Sequence, residues 1–120
     1  MLLAMATILL SALTAAPADV TGKWEGRLTA TRSDGSAHED TVLLILNQKD
    51  GTITGSIGGG EGDQHAITSG TIDGDKIVIA ARHENGREYR LELTLQNEEL
   101  NGTVTRGDQR AEVRTKRRKE

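Results

Sequence analysis

The side chains with the most chemistry to offer are three histidines and the carboxylates near them. His38, His65 and His83 each fall in or beside a polar stretch, with Glu39, Asp40, Asp63 and Glu84 close by. A metal ion would need several of these brought together in space, because no His-x-x-x-His pair is present. Isolated polar loop residues are ordinarily just solvated, so no metal site is expected. Asp73-Gly74-Asp75 has the start of a calcium loop without its other ligands, and a tight turn accounts for it. Ser33, Ser36, Ser56 and Ser69 have no Gly-x-Ser-x-Gly setting that would mark a nucleophile. Gly58-Gly59-Gly60-Glu61-Gly62 lacks the Gly-Lys-Ser/Thr ending of a phosphate cradle and leads into a strand, whereas a cradle leads into a helix. These residues predict no catalytic centre, no metal and no cofactor.

Composition narrows the class further. The chain has 120 residues, one proline, no cysteine and a net charge of −3, which fits a single small domain. Residues 1–18 read as a secretory signal helix: Leu2 to Ala16 is apolar and uncharged, and Ala16-Pro17-Ala18 has the small-x-small form of a cleavage site. No Lys or Arg precedes the run, and it falls short of the ~20 residues that span a bilayer. Export to a periplasm or the cell exterior is therefore expected, with no stable membrane insertion after cleavage. Without cysteine, neither disulfides nor thiol chemistry can hold or serve the domain. The residues 116–120 form a charged tail, read as a solvated end. A nucleic-acid partner is not expected, since base stacking needs aromatic platforms and this chain has one Trp, one Tyr and no Phe.

The elements that must position any site are short strands. Period-two alternation recurs throughout residues 19–115, punctuated by Gly, Asn and Asp. The segments are Thr21–Thr31, Thr41–Gln48, Thr52–Ile57, His65–Ile72, Lys76–Arg82, Arg87–Gln96, Leu100–Thr105 and Arg110–Thr115. Asp50-Gly51, Asp73-Gly74, Glu84-Asn85-Gly86 and Asn97-Glu98 supply the turns. Arg32–Glu39 and Gly58–Asp63 read as loops, and as natural lids over any interior site. The pattern predicts an all-β fold, a small antiparallel up-and-down β-barrel of about eight strands, closed because closure removes exposed edges.

Trp24 is the largest piece of this core, since a buried aromatic covers roughly 150–250 Å². Gly22-Lys23-Trp24 resembles the opening strand of the calycin group, in which a Gly-x-Trp places an indole as a plug at one end of the barrel. That resemblance implies a basic side chain from the end of the chain covering the indole, with Arg110 and Arg114 as candidates. Gly51-Thr-Ile-Thr-Gly55-Ser-Ile57, Ser69-Gly70-Thr-Ile72, Tyr89 and Leu100-Asn-Gly102-Thr-Val104 widen it to small secreted bacterial lipocalin-like domains. The avidin branch is also similar at Gly22-x-Trp24, but its tryptophan-lined pocket has no counterpart here. The resemblance carries structure and no catalytic residue.

Two functional readings follow. The first is a secreted, non-catalytic module carrying a small apolar molecule, with Trp24, Leu44, Tyr89 and Leu91 as ligand-binding residues around a shallow mouth in a largely filled core. The second is a module that binds another secreted protein. It could use the N-terminal segment Ala18–Thr21, as similar bacterial protease inhibitors do, or an apolar outer wall. That wall is suggested by Val42-Leu43-Leu44-Ile45-Leu46, whose alternation is broken. With Val42, Leu44 and Leu46 inward, Leu43 and Ile45 point out as interface candidates, unless curvature tucks them under a neighbouring loop.

Overall fold

The computed structural model describes residues 19–32, 34–82, 86–107 and 109–118. Eight strands follow in chain order: β1 (Gly22–Thr31), β2 (Ala37–Lys49), β3 (Thr52–Gly60), β4 (Asp63–Asp73), β5 (Lys76–Arg82), β6 (Glu88–Gln96), β7 (Glu99–Arg106) and β8 (Gln109–Arg117). Each pairs antiparallel with the next, and β8 returns to β1 from Trp24↔Arg117 to Ala30↔Ala111, closing the barrel. The expected leader and His83 and Glu84 lie outside the described residues. Among the described residues no helix is long and apolar enough to cross a membrane.

Turn chemistry sets the registers. Lys49 pairs with Thr52 around Asp50-Gly51, and Asp73 pairs with Lys76 around Gly74-Asp75. Gln96 pairs with Glu99 around Asn97-Glu98, whose φ angles of 54° and 63° are those of a type I′ hairpin turn. Three stretches differ from the sequence pattern, the first being the loop expected over Gly58–Asp63, which shrinks to Glu61-Gly62 because β3 continues to Gly60 and β4 starts at Asp63. Polarity predicts a loop over Arg32–Glu39, yet Ala37–Asp40 extend β2 because β1 offers partners from Leu28 to Thr31. The charged run likewise predicts a tail from Lys116, but β8 continues through Arg117 against Trp24.

Alternation then divides each strand into an inner and an outer face. Trp24, Leu44, Leu46, Ile53, Ile77, Ile79, Leu91, Leu93, Leu100 and Val113 are all buried in one cluster. Two inward glycines let strands approach where a side chain could not fit. A Cβ on Gly26 would stand 1.8 Å from the Arg114 carbonyl oxygen, and one on Gly102 would stand 1.9 Å from that of Glu92.

Candidate functional site: a cavity at the open end

The two ends of the barrel are built differently. At the end where β1 begins, Trp24 is fully buried and its Nε1 donates to the Val20 carbonyl at 2.9 Å. Val20 is itself fully buried, and its amide donates to Gln48 Oε1 at 3.0 Å. Arg117 covers the indole, with its guanidinium carbon 4.3 Å from the ring centre. The same guanidinium donates to the carbonyls of Thr21 at 2.7 Å and Asp19 at 2.9 Å. The covering cation is thus Arg117 in place of Arg110 or Arg114, because β8 runs further than its composition suggests. Asp19–Thr21 is tied down by these bonds as part of the plug, so the described part of the N-terminal segment does not extend toward a partner.

The opposite end is hollow. A cavity of about 1270 Å³ opens there between the far ends of the strands. Its wall is apolar: Leu28, Ala30, Val42, Ile57, Leu91, Val104, Ala111 and Val113. Its rim is polar, formed by Arg32, His38, Asp40, Asp63, His65, Tyr89, Arg106, Gln109 and Arg110. The volume exceeds the roughly 300–1,000 Å³ of ordinary small-molecule pockets, and the lining has the usual form of apolar walls with a few polar groups.

Of the four residues expected to bind a ligand, the structure brings two to this cavity. Tyr89 and Leu91 line it. Trp24 and Leu44 are cross-strand partners packed with no exposure in the filled end, so Trp24 and Tyr89 do not share a mouth. In place of a shallow mouth shared by Trp24 and Tyr89, the cavity opens beside Tyr89 at the end away from the indole, and Val42, Ile57, Leu91 and Val113 belong both to its wall and to the core.

The rim contains pairings that sequence reasoning missed. His38 Nε2 lies 2.9 Å from Asp40 Oδ2, and His65 Nε2 lies 3.1 Å from Asp63 Oδ1. Each pair is two residues apart on one strand, so both side chains leave the same face. The signal was available as His-x-Asp and Asp-x-His within strands, hidden because the loop read over Arg32–Glu39 took in His38 and the loop read over Gly58–Asp63 took in Asp63. Among the described residues, no group of three or more His, Cys, Asp or Glu could hold a metal ion. Arg106 leans toward Tyr89, its guanidinium carbon 5.8 Å from the ring centre, and its Nε donates to Gln109 Oε1 at 3.1 Å.

The outer-wall candidates have a different setting. Leu43 does point outward, but only 3 % of it is exposed, and Ile45 is half-buried. The β3–β4 hairpin accounts for this. After Gly58 pairs with Leu43, the strand bulges at Gly59 and the tip turns at Glu61-Gly62. Glu61 then reaches past β2 to Lys23 on β1 at 3.0 Å and to Arg118 beyond β8 at 2.8 Å. Gln64 Nε2 donates to the Leu43 carbonyl at 3.2 Å along the way. The hairpin therefore lies folded back over the outside of β2, where it covers Leu43 and leaves the mouth open.

The comparisons agree with the architecture. The closed eight-strand antiparallel barrel resembles the fold of two single-substitution variants of the fluorescent protein UnaG seen in crystal structures. One superposes with a TM-score of 0.51 at 20 % identity, covering 84 % of this chain and 97 % of that one. The other gives a TM-score of 0.50 at 17 % identity over the same shares. Neither a protein-family model nor a curated protein matches this sequence.

Proposed function

We propose that this chain is a non-catalytic binding module that carries a small, largely apolar molecule in the open end of its barrel. The observation that carries this reading is the roughly 1270 Å³ cavity, apolar along its wall and polar only at its rim. An apolar guest entering it releases water from both surfaces, worth about 25 cal/mol for each Å² removed from solvent. An export signal, read from the uncharged run ending at Ala16-Pro17-Ala18, places the carrier outside the cytoplasm in this proposal. The lack of cysteine makes folding there independent of oxidation.

Native mass spectrometry of the full chain purified from its own producing cells tests the proposal. The expected spectrum contains a fraction with the mass of one small molecule added, which is lost on extraction with organic solvent. Only apo protein, together with no binding of added apolar dyes, would refute it.

A further inference from the structure

One row of residues crosses the outer wall of the barrel through five strands. Lys76 pairs with Thr94, Thr94 with Asn101, Asn101 with Arg114, and Arg114 with Arg27. Their strand neighbours Ile77, Leu93, Leu100 and Val113 are in the core, so alternation turns the row outward. Long cations stand at its sides, with two short polar residues between them. Among the described residues, Lys76 and Arg114 form no ion pair with a carboxylate. Arg27 and Arg114 are directly opposed, an arrangement of like charges that costs a sheet stability. Between the cations the wall is concave: a groove of about 280 Å³ lies over Lys76, Val78, Glu92, Thr94 and Thr103. Beside it, Asn101 Oδ1 is buried with no hydrogen-bond partner among the described residues.

We propose that this groove binds a short acidic saccharide, a uronic acid oligomer laid across β5–β8 with carboxylates at Lys76 and Arg114 and hydroxyls over Thr94, Asn101 and Thr103. Three strand spacings, about 14 Å, separate the backbones of the two cations, a span suited to a few linked rings. The wall calls for donors as well as anions. Glu92, balanced by Arg90 at 3.0 Å, and Asn101 Oδ1 can only accept hydrogen bonds. Sugar hydroxyls supply those donors, once the Asn101 amide turns slightly outward, whereas a bare polyphosphate is all acceptors. Glu112, facing Thr103 from β8, likewise favours the spaced charges of a saccharide over a denser polyanion. A nucleotide has nothing to stack on here, since Trp24 is buried inside the barrel and Tyr89 lines the cavity. None of the residues in this row or groove lines the cavity, so the inference stands apart from the carrier reading.

Amide NMR of the full chain at low salt, titrated with trigalacturonate, tests the site. Saturable shifts are expected at Thr94, Asn101, Thr103 and Arg114, weakening as salt is added. Lys76→Gln and Arg114→Gln should each raise the dissociation constant about fivefold, the loss expected of one exposed charge-assisted contact. Lys49→Gln removes the same charge at the β2–β3 turn and should stay within about twofold. Arg114→Gln also relieves the opposition to Arg27, so its melting temperature should not fall and lost binding is not unfolding. Maltotriose, the neutral counterpart, should bind at least about tenfold more weakly, and tripolyphosphate more weakly than trigalacturonate. The double variant should keep its affinity for N-phenyl-1-naphthylamine, a neutral apolar dye for the cavity, within about twofold. No saturable shift on this wall, or full affinity in both glutamine variants, would overturn the site and leave the carrier reading standing. Equal binding of maltotriose would overturn the acidic part of the assignment, and tighter binding of tripolyphosphate the saccharide part.

Discussion

Arg117 and Trp24 form the clasp that closes the barrel: the guanidinium stacks 4.3 Å from the indole centre while its nitrogens hold the carbonyls of Thr21 and Asp19. One side chain thereby joins the last strand, the first strand and the segment ahead of it. Arg117→Ala should cost about 1–3 kcal/mol, combining a desolvated cation–π contact with hydrogen bonds left unmade. Arg117→Lys should recover only a small part, because an ammonium cannot reproduce the fork. Urea denaturation measures both, and a loss below about 0.5 kcal/mol for the alanine variant would contradict the role given to this clasp.

Trp24→Phe isolates the second half of the same joint. It keeps much of the ring but removes the Nε1 donor and orphans the buried Val20 carbonyl. A loss of about 2–3 kcal/mol is expected, larger than the area change alone would give. Ligand affinity should be unaffected, since the indole lies at the end away from the cavity.

Glycine positions offer a prediction with a built-in control. Gly26→Ala forces a methyl group to within 1.8 Å of the Arg114 backbone oxygen, so β1 and β8 must separate. Stability should fall by about 3 kcal/mol or more. Gly60→Ala has open space around its Cβ and should remain within about 0.5 kcal/mol of the parent in the same thermal melts. A similar cost at both sites would contradict the register assigned to β1 and β8.

The hairpin folded over β2 should respond to acid. Hydrogen bonds from Arg118 and then Lys23 hold the Glu61 carboxyl below its ordinary value of 4.5. A carboxyl depressed by folding contributes stability above its unfolded value and loses it as pH falls through the lower folded one. The hairpin should therefore stay in place at neutral pH and loosen in acid. Glu61→Gln should reproduce the loosened state at neutral pH. The methyl resonances of Leu43 report this directly. They should move toward exposed values as pH drops from about 6 to 3, and should be shifted already in the glutamine variant. Methyl shifts that ignore both changes would show that Glu61 does not hold the cover.

Much of this architecture can be read from local patterns. Alternation and the turn residues Asp50-Gly51, Asp73-Gly74 and Asn97-Glu98 place all eight strands, and Gly22-x-Trp24 marks the plug. What cannot be read locally is what lies opposite what. Lys116 and Arg117 resemble a solvated tail until closure offers them Glu25 and Trp24 as partners. Leu43 looks exposed by parity, and only the bulge at Gly59 and the remote cations Lys23 and Arg118 bring a cover over it. The cavity is the extreme case. Leu91 and Tyr89 are recognisable as inward residues, but whether their neighbourhood is filled depends on all the strands at once. The indole plugs its own end, and the cavity opens at the other.

Filling the hollow end gives a mutational test that leaves the plug alone. Ala111 lines the cavity from β8 on the inner face, so Ala111→Trp should project an indole into empty space with little strain. Stability should change by less than about 1.5 kcal/mol, while affinity for N-phenyl-1-naphthylamine drops at least about tenfold. Unchanged affinity would place the dye elsewhere, for instance in the outer groove beside Lys76, Glu92 and Thr103.

The central claim is that the open end of the barrel is a binding site, and amide NMR of the full chain titrated with N-phenyl-1-naphthylamine tests it most directly. Saturable shifts should concentrate at Leu28, Val42, Ile57, Leu91, Val104 and Val113, with Val20, Trp24 and Leu100 still. Shifts confined to the outer faces of β5–β7, or none at saturating dye, would contradict it.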